Sequence, residues 1–231
     1  MDQEFAATAN LLAEPTRAVM LLKLLSGGAL AAGELAACAN ISPQTASGHL
    51  AKLTEARLIE VEIQGRHRYY RLASTEVAHA LEAMLVLLPG NRKDRTRPSP
   101  PEVGTIAYAR TCYSHLAGWL GVRIVDALQA NGFLSPRENK AFFVTEAGRV
   151  WFDKLGVPVT RHQAIADAKG ARQCLDWTER RPHLAGALGV ALYRRFLDLG
   201  WLAPISRSRA VRVTLRGKKE LWNQLHVTCG E

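Results

Sequence analysis

The sequence predicts a mainly α-helical protein with small β-hairpins, an α+β fold built from two parts. Three observations lead to this prediction. Residues 34–72 read as a helix, a turn, a second helix and a hairpin with a basic tip. Residues 91–103 are polar, charged and rich in proline, as linkers are. The chain beyond them nearly repeats itself at a spacing of 68 residues.

The second helix of the first segment is well defined by its sequence. Ser42 is a favourable N-cap residue, and Pro43 suits the first helical position because its missing N–H would be unpaired there anyway. Ala46, Leu50 and Leu53 recur at helical spacing, which predicts one buried face. The opposite face begins with short polar side chains, which suit contacts to base edges and phosphates.

A β-hairpin is predicted to follow this helix. Leu58, Val61 and Ile63 indicate its first strand, and Gln64 and Gly65 indicate its turn. Helix, turn, helix and hairpin in this order form a winged helix-turn-helix, which places the second helix in the major groove of double-stranded DNA and the hairpin beside it. The residues expected to contact DNA are Ser42, Gln44, Thr45, Ser47, His49, Lys52, Arg66, His67 and Arg68.

Three stretches within residues 5–88 carry a likeness to a known family, namely FAATANLLAEPTRAVMLLKLLSGG, GELAACANISPQTASGHLAKLTEARLI and GRHRYYRL. Through these sequences the segment resembles the ArsR/SmtB group of bacterial winged-helix repressors. The resemblance implies a homodimer that binds a pseudo-palindromic operator and is released by a chemical signal. It also implies dimer contacts from the first helix and from the last helix of this domain, through Phe5, Leu11, Leu12, Val77, Leu81, Met84, Leu85 and Leu88.

The sequence departs from the metal-binding patterns of that group. Where its metal sensors carry a Cys-x-Cys pair, this chain has the single thiol of Cys38. The second pattern, on the last helix, is represented only in part, by Glu76, His79 and Glu82. We therefore do not expect metal sensing in the first domain, and we expect Cys38 to be packed within its helix.

The chain is divided on this basis into three regions. Residues 1–90 are predicted to form the winged helix-turn-helix DNA-binding and dimerisation domain, residues 91–103 a basic Pro-rich linker, and residues 104–231 a sensory domain. The net charge of +9 is unevenly placed, at −2 for residues 1–90 and +11 for the remainder. The basic excess of the second part suits phosphate contacts, an anionic ligand or simply a solvated surface.

The second half contains the internal repeat, with copies predicted at 110–157 and 173–227. The sequence HLAGWLGV, which begins at His115, matches HLAGALGV, which begins at His183. Such a match indicates one supersecondary unit used twice. We expect two pseudo-symmetric repeats, each with a helix that starts at the histidine, a hairpin and a short second helix. Pairing of the copies is expected to bury Leu116, Leu120, Ile124 and Leu128 against Leu184, Leu188, Leu192 and Phe196.

A cysteine precedes each repeated histidine, Cys112 three residues before His115 and Cys174 nine residues before His183. If the copies pack about a pseudo-twofold axis, the two thiols and two imidazoles come together. That set suits zinc and related ions, and a thiol near a helix N-terminus is also more reactive. The four residues predict a metal or metalloid site or a thiol redox sensor, unless the cysteines are only buried apolar side chains.

The segment between Cys174 and His183 suggests another kind of site. An arginine supplies paired hydrogen-bond donors and a tryptophan supplies a stacking face. A small organic effector held between the repeats is therefore the leading expectation for the sensory domain, and the alternative for this segment is a salt-bridged loop that positions the second repeat. The residues expected to bind an effector are Cys112, His115, Trp119, Cys174, Trp177, Arg180 and His183.

The leading function is a dimeric transcriptional repressor that a small effector releases from its operator. An enzyme with Cys112 as nucleophile and His115 or His183 as base is a remote alternative, because no further catalytic motif accompanies these residues, and we expect no enzymatic activity. A structural nucleoid protein that binds DNA without sequence preference is a third hypothesis. The chain has no signal-peptide pattern, no membrane-spanning run and no disulfide framework, so a cytoplasmic location without a membrane partner is expected.

Overall fold

The computed structural model describes residues 1–65, 67–88, 100–159, 170–206 and 208–230. The chain divides into two compact units. The first contains Met1–Leu85 with Ser206–Ser208, and the second contains Val86–Ile205 with Arg209–Glu231. The predicted boundaries of the linker stay predictions, because residues 89–99 lie outside the described ranges.

The first unit holds a helix-turn-helix and a three-stranded antiparallel sheet. Its helices are α1 (Asp2–Ala13), α2 (Pro15–Leu25), α3 (Ala32–Cys38), α4 (Pro43–Glu55) and α5 (Thr75–Leu87), of which the last runs past the unit boundary. Its strands are β1 (Leu30–Ala31), β2 (Ile59–Gln64) and β3 (His67–Leu72), in the order β1-β3-β2. The mixed α+β class and the winged helix-turn-helix are as predicted, and β1 is an addition that the sequence did not indicate.

Local interactions explain where the central helices begin. The carboxylate of Glu14 accepts hydrogen bonds from the N–H groups of Thr16 and Arg17 at the start of α2. Ser42 Oγ accepts a hydrogen bond from Thr45 N at 3.2 Å and so caps α4, with Pro43 in its first turn. Both caps satisfy backbone donors that have no partner within the helix.

The second unit presents one order of elements twice. The first copy comprises β4 (Arg110–Cys112), β5 (His115–Ala117), α6 (Gly118–Ala130), β6 (Leu134–Arg137), β7 (Ala141–Val144) and α7 (Glu146–Leu155). The second comprises β8 (Arg172–Leu175), β9 (Pro182–Ala185), α8 (Gly186–Asp198), β10 (Leu202–Pro204), β11 (Val211–Val213) and α9 (Leu215–Leu225). Strands β6 to β9 form one four-stranded antiparallel sheet, so a hairpin of each copy contributes to it.

The repeated Val-Thr-x-x-Gly sequence marks the start of the last helix in each copy. Thr145 Oγ1 accepts a hydrogen bond from Gly148 N, and Thr214 Oγ1 accepts one from Gly217 N, each at 3.0 Å. A Cβ atom on Gly148 would lie 2.1 Å from the carbonyl oxygen of Phe133, so only glycine fits against the preceding turn. The motif therefore combines a helix cap with a close backbone approach.

One hydrophobic core fills the second unit. It contains every residue whose burial the paired repeats predicted, namely Leu116, Leu120, Ile124, Leu128, Leu184, Leu188, Leu192 and Phe196. The cavity between these facing residues measures about 10 Å³, which is room for about one water molecule. This space between the facing helices therefore has no room for an organic effector, and the effector expected from the sequence stays a prediction.

The predicted start of the repeated helices is wrong. The sequence predicted helices from His115 and His183, whereas both histidines lie in β-strands and the helices begin at Gly118 and Gly186. These glycines adopt φ angles of +80° and +75°, which glycine reaches without strain. The glycine in each His-Leu-Ala-Gly sequence thus ends the strand and redirects the chain into the helix. In the described part of the chain, no helix has the length and apolar character needed to cross a bilayer.

Candidate nucleic-acid interface and candidate metal centre

Helix α4 has one buried face and one exposed polar face. Ala46, Leu50 and Leu53 are fully buried against the first unit. Ser42, Gln44, Thr45, Ser47 and Lys52 are exposed, as predicted for a surface that meets DNA. The hydroxyl groups of Ser42 and Thr45 lie 2.9 Å apart, and Ser47 Oγ donates to the carbonyl oxygen of Pro43 at 3.0 Å. Gln44 and Lys52 carry the longer side chains of this face, with the reach to meet base edges and phosphates.

His49 departs from the predicted set. Its Nδ1 atom lies 3.3 Å from Oε2 of Glu14, the cap of α2, and only a fifth of its side chain is exposed. The imidazole therefore lies against the cap of α2, and its predicted contact with DNA stays a prediction. Desolvation opposes ionisation of Glu14, but hydrogen bonds from Arg17 N and Thr16 N, together with the nearby His49, lower the pKa of the carboxyl group to about 2.

Gly48 lies in the middle of α4, and the space where a side chain would stand is open. A Cβ atom built at this position has no heavy atom within 4 Å. Packing within the chain therefore does not explain the glycine, although glycine costs a helix about 1 kcal/mol relative to alanine. Its position on the exposed face is consistent with a close approach of a ligand backbone to the helix.

The wing is the β2–β3 hairpin, in which Gln64 pairs with His67 across the turn. Gly65 has a φ of +60°, as tight hairpin turns require. His67 and Arg68 are exposed, and Arg66 lies outside the described residues.

Cys38 is exposed at the end of α3, so its predicted packing within the helix is wrong.

The second unit brings the two predicted Cys–His pairs together by a geometry that the sequence did not suggest. Cys112 is directly opposite His115 in the β4–β5 hairpin, and Cys174 is directly opposite His183 in the β8–β9 hairpin. Opposed residues of antiparallel strands project to the same face of the hairpin. The loops differ in length, but the register is the same, which explains the unequal sequence spacing of the two pairs.

The four side chains form a buried cluster, which we call the Cys/His quartet (Cys112, His115, Cys174 and His183). The Nε2 atoms of the two histidines lie 3.0 Å apart. One ligand atom from each of the four residues lies within 4.8 Å of the others. Both histidines and Cys112 are buried, and Cys174 is partly buried.

A buried carboxylate, Asp176, stands behind His183. Its Oδ2 atom lies 3.3 Å from His183 Nδ1 and accepts hydrogen bonds from Arg110 Nη2 at 3.0 Å and from Gly118 N at 2.7 Å. Its Oδ1 atom accepts from the backbone and hydroxyl of Thr178. The loop of the second hairpin thus orients the histidine and contacts the start of α6 in the first repeat.

These contacts favour the charged forms of Cys174 and His183 in the quartet and of Asp176 beside it. A hydrogen bond from Cys112, together with those from His115 and His183, lowers the pKa of the Cys174 thiol against the opposing effect of burial. Burial alone would raise the pKa of Asp176, but His183 and Arg110 hold it well below its usual range. Burial likewise opposes protonation of His183, yet Asp176 and Cys174 raise its pKa. A thiolate is the form in which cysteine binds a metal ion.

The other residues predicted to bind an effector have different surroundings. The ring of Trp119 stacks on Tyr108 at 5.3 Å, and Arg123 lies over it. Arg180 donates hydrogen bonds to the carbonyl oxygens of Val86 and Leu88. Trp177 lies beside the quartet's supporting residues, with the guanidinium of Arg110 5.0 Å from its ring centre. A part in effector binding for Trp119 and Arg180 stays a prediction.

Sequence reasoning missed Arg110 and the role of Asp176. The two residues are 66 positions apart and form a buried ion pair with side chains 1% and 0% exposed. Arg110 is a single arginine beside the apolar residues Tyr108 and Ala109, and Asp176 with Thr178 has the spacing of an Asx turn. These local signals indicate a buried charge and a turn, but neither identifies its partner.

Comparisons with known proteins agree with the helix-turn-helix fold of the first unit. A family model described as a helix-turn-helix domain matches residues 12–62. The uncharacterized HTH-type transcriptional regulator YdfF of Bacillus subtilis is 43% identical over 227 residues, which cover 98% of this chain and 99% of YdfF. The transcriptional repressor SdpR of Bacillus subtilis is 36% identical over 74 residues, which cover 32% of this chain and 81% of SdpR.

A solved structure is also similar to part of this chain. It is the homodimeric winged helix-turn-helix DNA-binding domain of Mb0332 from Mycobacterium bovis, a possible ArsR-family regulator, with 28% identity and a TM-score of 0.35 over 37% of this chain and 78% of that one. The likeness to YdfF extends through both units. The chain therefore belongs to the HTH-type transcriptional regulators, the class that the ArsR/SmtB resemblance of residues 5–88 predicted.

Proposed function

We propose that this regulator is a cytoplasmic, homodimeric repressor that binds a pseudo-palindromic operator and is released when its second unit binds a small effector. The observation that carries the proposal is the exposed polar face of α4, with Gln44 and Lys52 above a fully buried row of apolar residues. A helix in this position within a winged helix-turn-helix reads the major groove with its first residues. The relative SdpR is a transcriptional repressor, which supports repression as the direction of control.

Each α4 residue has a distinct part in the proposal. Gln44, Thr45 and Ser47 contact base edges, whereas Lys52 and Arg68 contact phosphates. The wing adds His67, and Arg66, which lies outside the described residues, remains part of the proposed surface. A region with a net charge of −2 still binds DNA when its few cations lie on the face that meets it.

Dimerisation is proposed to involve α1 and the end of α5. Phe5 is 77% exposed, Met84 47% and Leu88 55%. Large apolar side chains with this exposure favour a protein contact. A twofold dimer would present two copies of α4 to successive major grooves, which is the reason to expect a pseudo-palindromic operator.

Release requires a difference in affinity between two conformations. An effector shifts the protein away from DNA only if it binds the DNA-free conformation more tightly than the DNA-bound one. The second unit is proposed to hold the effector because it contains a buried, chemically specific group of side chains, the Cys/His quartet. We propose no catalytic role for Cys112, since it is 2% exposed and has little access to a substrate.

Footprinting on the DNA flanking the regulator's own gene tests the proposal. A discrete protected palindrome, lost in Gln44→Ala but kept in the matched surface variant Lys23→Ala, is the expected result. Uniform protection without a preferred site would contradict it and favour a structural nucleoid protein. Sedimentation of Phe5→Ser tests the dimer, which that variant is expected to weaken.

A further inference from the structure

We propose that the Cys/His quartet binds one Zn²⁺ ion, or a Cd²⁺ ion of similar chemistry, and that this ion is the effector of the second unit. The effector role rests on the proposed function above, whereas the binding site rests on the geometry of the quartet alone. Two ligands come from the β4–β5 hairpin and two from the β8–β9 hairpin, so one ion would join the two repeats.

The arrangement of donors fits a tetrahedral ion. Two thiolates and two imidazoles are a common ligand set of four-coordinate zinc. With zinc–ligand distances of about 2.0–2.3 Å, ligand atoms of a tetrahedral site lie about 3.3–3.8 Å apart. The two Nε2 atoms are 3.0 Å apart and the quartet spans at most 4.8 Å, so shifts of about 1 Å are enough to close the site.

The supporting residues fit the same ion. A histidine that binds a metal through one ring nitrogen usually bonds a carboxylate or carbonyl through the other, which fixes its orientation. His183 has this arrangement, with Nε2 toward the quartet and Nδ1 beside Asp176. Asp176 is itself held by Arg110 and by the backbone of Gly118, so the support is built before any ion arrives.

Charge balance favours a divalent cation. Two thiolates carry two negative charges, and Asp176 is already paired with Arg110. A divalent ion with two thiolates and two neutral imidazoles leaves no net charge in a region where an uncompensated charge is costly. A monovalent ion would leave one negative charge in the site. Hard cations such as Mg²⁺ prefer oxygen ligands, and the quartet itself offers none.

The test measures ion binding and DNA binding separately on the full-length protein. Chelator-treated protein is titrated with Zn²⁺ and followed by native mass spectrometry, and Co²⁺ is used as an absorbing substitute. The expected result is one ion per chain, with a cobalt spectrum typical of tetrahedral thiolate coordination. Cys112→Ser and Cys174→Ser should lose the ion, and the matched variants Cys38→Ser and Cys229→Ser should keep it.

A further variant tests the support of His183 while all four ligands stay in place. Asp176→Asn removes the charge behind His183 and also the charged partner of Arg110. In the folded variant, Zn²⁺ affinity should fall by about 10- to 100-fold without loss of stoichiometry at saturation. Unchanged affinity in Asp176→Asn would contradict the proposed support of His183. Circular dichroism of each ion-free variant shows whether it is folded.

Operator binding by the Zn²⁺-loaded and chelator-treated proteins then tests the effector role. We expect the loaded protein to bind its operator at least about tenfold more weakly. Failure to bind any ion, or thiols that react with an alkylating reagent only after reduction, would overturn the proposed site. Ion binding with equal operator affinity in both states would overturn the effector role, and ion binding without a footprint in either state would refute the DNA function alone.

Discussion

His115 and His183 approach each other to 3.0 Å between their Nε2 atoms, although 68 residues separate them in the chain. Each is the first residue of the same eight-residue match, and each lies opposite a cysteine in a short hairpin. The internal repeat therefore brings the two histidines and two cysteines together, because each copy contributes one Cys–His pair.

Gly48→Ala is expected to have opposite effects on stability and on DNA binding. Alanine should stabilise α4 by about 1 kcal/mol, because nothing lies within 4 Å of the added Cβ atom. If DNA approaches this face closely, the same methyl group should weaken operator binding by about tenfold. Chemical denaturation and fluorescence anisotropy measure the two effects.

Gly33→Ala is the matched control for this variant. A Cβ atom added at Gly33 also meets open space, but this residue lies on α3. Its substitution should leave operator affinity unchanged. Equal operator affinity for Gly48→Ala and the unaltered protein would contradict a close approach of DNA to α4.

Gln44→Ala and Lys52→Ala should separate sequence reading from charge. Loss of Gln44 is expected to cost about 1–3 kcal/mol on the operator and to relax specificity at one position. Loss of Lys52 should weaken binding to all sequences and reduce the salt dependence by about one unit. Titrations with operator and scrambled DNA at several salt concentrations measure both; an equal loss on the two DNAs for Gln44→Ala would rule out its base contact.

Asp176→Asn should destabilise the ion-free second unit. It leaves Arg110, which is 1% exposed, without its charged partner, and breaking a buried pair in this way costs about 3–5 kcal/mol. Asp126→Asn is the control, since Asp126 pairs with Arg181 near the surface and should lose about 0–1 kcal/mol. Denaturation in the presence of chelator compares the two, and similar losses would mean that burial of the pair contributes little.

Glu14→Gln should alter the pH dependence of stability in the first unit. Because folding lowers the pKa of Glu14 from 4.5 to about 2, its carboxylate stabilises the folded state at neutral pH, and this contribution disappears as the pH falls through that range. The variant should therefore be less stable than the unaltered protein at pH 7, and the two should become equally stable only below about pH 2. Thermal melts across this interval check the convergence, with Glu55→Gln as an exposed control.

The winged helix-turn-helix was predictable because its signals are local. Ser42 and Pro43 mark the start of α4, and the spacing of Ala46, Leu50 and Leu53 defines its buried face. The contact of His49 with Glu14, 35 residues earlier, was not predicted, because spacing alone does not reveal it. Long-range contacts of this kind are invisible to helical periodicity.

The quartet was predictable in composition but not in geometry. The repeat located two histidines and two cysteines correctly, yet strands of three or four residues are too short to show an alternating pattern. A helix was therefore predicted to start at His115, which in fact faces Cys112 across a hairpin. The ion pair of Arg110 and Asp176 was not predicted, because neither residue by itself shows which residue it pairs with. The repeat contains no second copy of this pair that could have indicated it.

The presence of both hairpins in one polypeptide has a consequence for how the quartet assembles. If a single copy of the repeat supplied only one Cys–His pair, two chains would have to meet before four ligands came together, and ion affinity would rise and fall with protein concentration. Here folding alone places Cys112 and His115 beside Cys174 and His183. The affinity of the quartet for an ion should thus be the same in a cell with few copies of the protein as in one with many.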